Sequence, residues 1–271
     1  MSNNTLKRVI AVVSGKGGVG KTSLATNIAA ELASAGHQVL EMDLDPQGTA
    51  ALVWRLPALP AMYEVLSNDA KIQDLVAAVE PERWTIPGGK DGGSLHLLSG
   101  DNTTAAASIG LYMKHRPIRM LRDLLLPLLE DGTYHFVVLD TPPSVHPLAP
   151  YVYAAAGLAV VPTDCGIEGL DGFLQTKRTV EATKDSEMEI IAVVPDRIPH
   201  STALHDRVIS DLHERFGDVV VPPLMERDVW AKSAYRGKAL GVTSRRSVAY
   251  REFKIVYRHI IRELRKRGIE A

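Results

Sequence analysis

The sequence predicts an α/β fold: a doubly wound, mostly parallel sheet with helices on both faces. Three features carry this. Short apolar runs alternate with segments of helical periodicity, the signature of βαβ units. A loop holding four glycines, SGKGGVGKTS at 14–23, lies between the first apolar run and the first helical segment. A later apolar run, FVVLD, ends in an acidic residue, Asp140, which such a sheet would present at the C-terminal edge of a strand.

The elements follow in order. VIAVV at 9–13 reads as a buried strand. From Lys21 to Ala35, Leu24, Ile28 and Leu32 recur at helical spacing with alanines between them, and Gly36 is a helix stop. QVLEM at 38–42 is the second strand. Further strands are expected at 95–98, 134–139, 157–161, 189–194 and 218–221, and helices at 61–79, 116–130, 169–184 and 202–215. Pro57 and Pro60 mark a loop, and IPGGKDGGS at 86–94 reads as a surface loop or hairpin and not as a domain boundary. The last helix, 247–267, is amphipathic. Phe253, Val256, Tyr257, Ile260, Ile261 and Leu264 form one face, and Arg251, Lys254, Arg258, Arg262 and Arg265 the other. One domain over 1–271 is expected.

Composition narrows the function. Of 271 residues, 45% are hydrophobic and 23% charged, as in a soluble globular chain with a sizeable core. One cysteine, Cys165, excludes a disulfide framework, a cysteine-based zinc site or a ligated iron–sulfur cluster within one chain, and it reads as a small packing residue. The start has no signal-peptide pattern, and a cytoplasmic protein is expected. The net charge is −1, yet 227–267 holds thirteen Lys or Arg against three Asp or Glu. Such a basic segment on an acidic body suits a polyanionic partner or, more plainly, a solvated helix face.

The glycine loop specifies chemistry. Gly15, Gly20, Lys21 and Thr22 fit G-x-x-x-x-G-K-[ST], with a strand before and a helix after. Glycines let backbone N–H groups wrap a phosphate, and the helix N-terminus adds its own. Gly15, Lys16, Gly17, Gly18, Val19, Gly20, Lys21, Thr22 and Ser23 are therefore the candidate contacts to a nucleotide's phosphates. Lys21 would reach the outer phosphates and the Thr22 hydroxyl would ligate Mg²⁺. Asp140 supplies a carboxylate for the metal, through water. In EMDLDPQGT, Asp43 and Asp45 are two apart and face one side of an extended segment. One would join the metal's outer shell, and the other would orient a water.

KGGVGKTS, DLDPQGTA and VVLDTPPS, in this order, resemble the ParA/MinD family of deviant Walker P-loop ATPases. The likeness covers most of the chain and is closer to ParA, in the small class without an N-terminal helix-turn-helix. It implies a P-loop NTPase that hydrolyses ATP slowly with Mg²⁺. Lys16 would be the signature lysine, which completes the partner's site in a homodimer with ATP sandwiched. Asp45 would orient the hydrolytic water, and Asp43 and Asp140 would support the metal. It also implies non-specific double-stranded DNA binding on the nucleoid, a ParB-type adaptor that stimulates turnover, and a role in segregating plasmid, chromosome or protein cargo.

The DNA surface departs from the family. Its usual arginine positions hold Ser201 and Val229 here. Arg227, Lys232, Arg236, Lys238, Arg245, Arg246, Arg251, Lys254 and Arg258 are the candidate substitutes, with Arg197 and His200 nearby. The competing expectation is MinD-like membrane attachment through the terminal helix. Its apolar stripe is needed to cover the sheet, and only seven residues follow Leu264, too few for an insertion tail.

Overall fold

A computed structural model describes residues 4–143, 146–196, 198 and 202–271, without the side chains of Ile167 and Glu168. Ser201, Arg197 and His200 lie outside the described residues. Seven strands form one sheet: β1 (Val9–Val12), β2 (Gln38–Asp43), β3 (Ala77–Ala78), β4 (Ser94–Leu98), β5 (Phe136–Asp140), β6 (Leu158–Thr163) and β7 (Glu189–Pro195). Their order is β3-β4-β2-β5-β1-β6-β7, and only β3 runs antiparallel. The predicted α/β class is the one observed.

Both faces are covered, so the strands are mostly apolar, and their side chains divide with period two. Val9 and Ala11 of β1 join one core with Leu40, Met42, Val137 and Leu139. Ile10 and Val12 join the other with Val39, Phe136 and Val138. The first core is roofed by α3 (Ala61–Asn68), α5 (Thr103–Met113), α6 (Met120–Glu130), α7 (Ala149–Ala155), α8 (Ile167–Ala182) and α9 (Ala203–Phe216). The second is roofed by α1 (Lys21–Ser34), α2 (Thr49–Trp54), α4 (Pro81–Trp84), α10 (Asp228–Tyr235), α11 (Leu240–Ser244) and α12 (Val248–Lys266). Leu24, Ile28 and Leu32 of α1 are fully buried, as their spacing predicts. In α12, Phe253, Val256, Tyr257, Ile260 and Leu264 are buried, and the Ser247 hydroxyl caps its N-terminus by accepting the Tyr250 N–H. Among the described residues no helix is long and apolar enough to cross a membrane.

Two expectations are corrected. The helix expected over 61–79 ends at Asn68. Asp69 takes a left-handed φ of 54°, the Ala70 N–H turns back to the Glu64 carbonyl, and the chain goes on to pair β3 with β4. The apolar period continues past this point, but an Asn-Asp pair that tolerates the left-handed region overrides it. The strand expected at 218–221 is reduced to a bridge between Val220 and Val193, cut short by Pro222 and Pro223. The glycine loop at 86–94 is a surface loop, as expected, exposed over 87–92 and anchored at its ends. It is packed onto the C-terminal end of α1, where a Cβ at Gly93 would lie 1.9 Å from the Ala33 carbonyl oxygen.

One buried carboxyl stands inside the sheet. Glu41 Oε2 accepts the Trp54 indole N–H at 2.7 Å, while Oε1 has no hydrogen-bond partner. Burial first, then the nearby Asp140 and Asp43 charges, push the Glu41 carboxyl well above its ordinary 4.5, against the pull of Trp54.

Gly93→Ala is expected to cost roughly 1–3 kcal/mol through overpacking, read as a lower urea midpoint. An unchanged midpoint would mean the loop is not seated on α1. Because the folded state holds Glu41 protonated, the stability that this protonation preserves is present at low pH and lost as pH rises above ~4.5. Glu41→Gln is therefore expected to raise the melting temperature at pH 8, by the equivalent of roughly 1–3 kcal/mol, and to change it little at pH 4. An equal effect at both values would show that Glu41 does not titrate.

Candidate functional site

The candidate site lies where β1, β2, β5 and β6 end. Residues 13–20 leave β1 as a loop and enter α1. Gly18 and Gly20 take φ values of +76° and +82°, a region that side chains disfavour. Gly20 is doubly constrained, since a Cβ there would lie 2.0 Å from Asp196 Oδ2. Gly20 is also the N-cap of α1 and offers no side-chain acceptor, so the first-turn N–H groups of α1 are free to meet an anion.

Lys21 is 6% exposed, and its Nζ donates to the Lys16 carbonyl at 3.3 Å. It curls back across the loop. Burial lowers its pKa, and Asp140 and Asp45 oppose the shift. Lys16 is placed differently. Its side chain is 41% exposed, and its Nζ pairs with Asp164 Oδ2 at 2.6 Å on the loop after β6. Asp164 is itself held, because its Oδ1 accepts the Gly166 N–H at 3.0 Å.

Asp43 and Asp140 end adjacent strands in register. Both are fully buried. Asp43 Oδ1 accepts the Asp45 N–H at 3.1 Å, and Oδ2 accepts the Ala50 N–H at 2.9 Å. Burial nonetheless pushes its carboxyl up to about 7, with Asp45 adding and the two backbone donors subtracting. Asp140 is raised by burial and then by Asp43, while Thr22 and Lys21 pull it down. The Thr22 hydroxyl acts within electrostatic reach but closes no well-formed hydrogen bond, and neither Asp140 oxygen has a partner. A buried carboxylate without a donor, beside a hydroxyl and an ammonium, is a fit for a bound cation. Among the described residues no three His, Cys, Asp or Glu converge to hold a metal by themselves. A cation would therefore draw its remaining oxygens from a bound phosphate or water.

Asp45 is half-buried, and its Oδ1 accepts the Gln47 N–H at 2.9 Å. The segment carrying it is pressed against 98–101, where a Cβ at Gly48 would meet the Gly100 carbonyl at 2.7 Å. His146 lies within electrostatic reach of Asp45. Beside the loop, a cavity of about 230 Å³ is lined by Gly20, Ser23 and Leu24 on one side and Asp196, Met225 and Trp230 on the other. Its apolar walls and carboxylates suit a flat, amino-bearing ring.

Sequence reasoning brings Lys16, Lys21, Thr22, Asp43, Asp45 and Asp140 to one place, and the structure gathers them there. It misses Asp164 and His146, which no motif marks. Cys165 is buried, and its thiol is pushed up to about 12 by burial, then by Asp164 and Asp196, so it is a packing residue here. The nine candidate DNA contacts separate into two groups. Arg227, Lys232, Arg236 and Lys238 surround α10, where Arg227 pairs with Glu252 at 2.8 Å and Lys232 with Asp228 at 3.5 Å. Arg245, Arg246, Arg251, Lys254 and Arg258 lie before and along α12, with Lys254 paired to Glu31 at 2.8 Å. Val229 packs half-buried against the core.

Known proteins match this arrangement. A family model described as an AAA domain covers residues 7–191. The chromosome partitioning protein ParA of Caulobacter vibrioides is 34% identical over 86% of this chain and 85% of its own. The chromosome-partitioning ATPase Soj of Thermus thermophilus is 32% identical over 82% of both. Among solved structures, an ATP complex of Cyanothece McdA superimposes with a TM-score of 0.78 over 98% of each chain at 18% identity, a likeness of fold. By sequence, fold and the residues gathered at the strand ends, the chain belongs to the ParA family of P-loop partition ATPases.

Proposed function

We propose that this chain, acting as one domain over 1–271, is an ATP-dependent dimerisation switch that positions cargo on DNA. The observation that carries the reading is the division of labour between two lysines. Lys21 is buried and folds over its own loop. The Lys16 side chain is partly exposed and pairs with Asp164 on the loop after β6. One cation completes the chain's own site, and the other is available to a second chain.

ATP and Mg²⁺ are the cofactors. The N–H groups of 15–23 and Lys21 would hold the phosphates. Thr22 and Asp140 would hold the metal, which when bound offsets charge on the outer phosphates. Asp43 fixes the segment that presents Asp45, and Asp45 would orient the attacking water. The 230 Å³ cavity beside Gly20 would take the base. Two chains would bury the phosphates between them, with each Lys16 exchanging Asp164 for the partner's nucleotide. Turnover is slow and adaptor-stimulated in this reading, since hydrolysis serves to reset the dimer. Duplex DNA is bound without sequence preference, most strongly by the dimer, and a ParB-type protein links the cargo.

Lys16→Ala is expected to keep ADP and ATP binding by the single chain but to lose the ATP-dependent dimer in sedimentation velocity. A normal dimer would end the trans role of Lys16. Asp45→Ala is expected to cut phosphate release about 10²-fold or more and to leave a persistent ATP dimer. Wild-type phosphate release would make Asp45 a purely structural residue.

A further inference from the structure

Strand β2 carries two buried carboxyls on one face, Glu41 and Asp43, and only Asp43 lies at the candidate site. Both are tied to the same short helix. Asp43 Oδ2 accepts the N–H of Ala50, in the first turn of α2, and Glu41 Oε2 accepts the indole N–H of Trp54, in its last. The spacings match. Two residues of a parallel strand rise ~6.6 Å, and four residues of an α-helix rise ~6 Å. α2 therefore runs back alongside β2 with one carboxyl at each end.

The segment hung between these ties is the one that presents Asp45. Its own restraints are all close by. The Asp45 N–H goes to Asp43, the Gly48 N–H to the Asp45 carbonyl at 3.0 Å, and the Gln47 N–H to the Asp45 carboxylate. They set the shape of the turn, whereas the direction in which it leaves the strand depends on where α2 goes. A helix of six residues is too short to be stable alone, and Leu52 on its outer side is 66% exposed. A further anchor, from the Arg55 guanidinium to the Tyr235 carbonyl, is exposed to solvent. Trp54 is the large side chain that seats the helix, fully buried on the α1 side of the sheet.

Packing alone does not call for the Glu41–Trp54 hydrogen bond. Phenylalanine would fill most of the Trp54 space, and an apolar side chain at 41 would suit a strand covered on both faces. A carboxyl enclosed in the sheet is instead costly, the more so because Glu41 Oε1 has no partner. The bond it makes is directional, where apolar contact is not. What a directional bond adds at this point is a fixed heading for α2.

We propose that Glu41 and Trp54 are positioning residues for hydrolysis: their hydrogen bond fixes the heading of α2 and, through it, the place at which Asp45 holds water. The inference rests on the reading above that Asp45 orients the attacking water. Neither residue lines the cavity assigned to the base, so the pair acts on the chemical step and not on nucleotide binding.

The test compares steady-state phosphate release by the full chain with its thermal melting. Trp54→Phe leaves both oxygens of a buried carboxyl without a donor. It is expected to melt earlier and to lower kcat for ATP roughly 10–10²-fold, with KM unchanged. The double variant Glu41→Met/Trp54→Phe removes the stranded carboxyl as well, so its melting temperature is expected to recover while kcat stays low. Glu41→Gln keeps an acceptor for the indole N–H and is expected to hold kcat within about threefold of the wild type. Sedimentation velocity is expected to show the ATP dimer in all three variants. A double variant whose kcat recovers with its stability would reduce the pair to a structural one and overturn the proposal, as would loss of the ATP dimer. Wild-type kcat in Trp54→Phe, beside a slow Asp45→Ala, would overturn it and leave Asp45 as the water-orienting residue. Wild-type release by Asp45→Ala would remove the reading and the inference together.

Discussion

Two carboxylates end adjacent strands in register and have no water to share their charge. Asp43 and Asp140 sit side by side at the C-terminal edges of β2 and β5, both fully buried. Such a pair is costly unless protonated or met by positive charge. The surroundings supply that charge in parts. Lys21 lies within reach, two backbone N–H groups serve Asp43, and a glycine-capped helix directs its N-terminus toward the same space. The geometry of three loops follows from this one unbalanced spot. Binding a cation together with a polyphosphate would settle the charge of both partners at once, which is why the arrangement is poised and not merely polar.

α1 joins this charged end to the basic face of α12. It is buried on nearly every side, with alanines at 25, 29, 30 and 33 admitting the sheet and its neighbours closely. Its N-terminus meets the phosphate loop, and its C-terminus, through Ser34 and Glu31, organises Lys90, Tyr250 and Lys254. One rigid helix thus separates the phosphate loop from that basic face by a fixed distance. Sequence alone joins Arg227 and Arg258 in one basic segment, whereas in the folded chain they line different cavities.

The sheet and the phosphate loop are legible in the sequence because both rest on local rules. Apolar runs of strand length placed all six parallel strands within two residues, and a glycine loop between strand and helix has few other uses. What was illegible depends on contacts between distant segments. The 86–94 loop faces solvent as its polar, glycine-rich composition implies, but nothing local tells that Gly89 and Gly93 lie against α1, more than fifty residues earlier. Asp164 and His146 belong to no motif, and only folding sets them beside Lys16 and Asp45. The 61–79 segment is the opposite case, a sound period overruled by two turn-forming residues.

The short helix α2 has its own mechanical meaning. At its start the Ala50 N–H is tied to Asp43, and from its last turn Trp54 reaches Glu41. Just beyond it, Arg55 Nη2 donates to the Tyr235 carbonyl at 2.7 Å, at the end of α10. A six-residue rod fixed at both tips has no slack. One inserted residue would turn Trp54 by about 100° and break all registration between the aspartate loop and α10. The length of this rod, more than the identity of its exposed residues, is therefore under constraint, and displacement of the Asp45 segment would reach the Tyr235 end as a push and not as a local rearrangement.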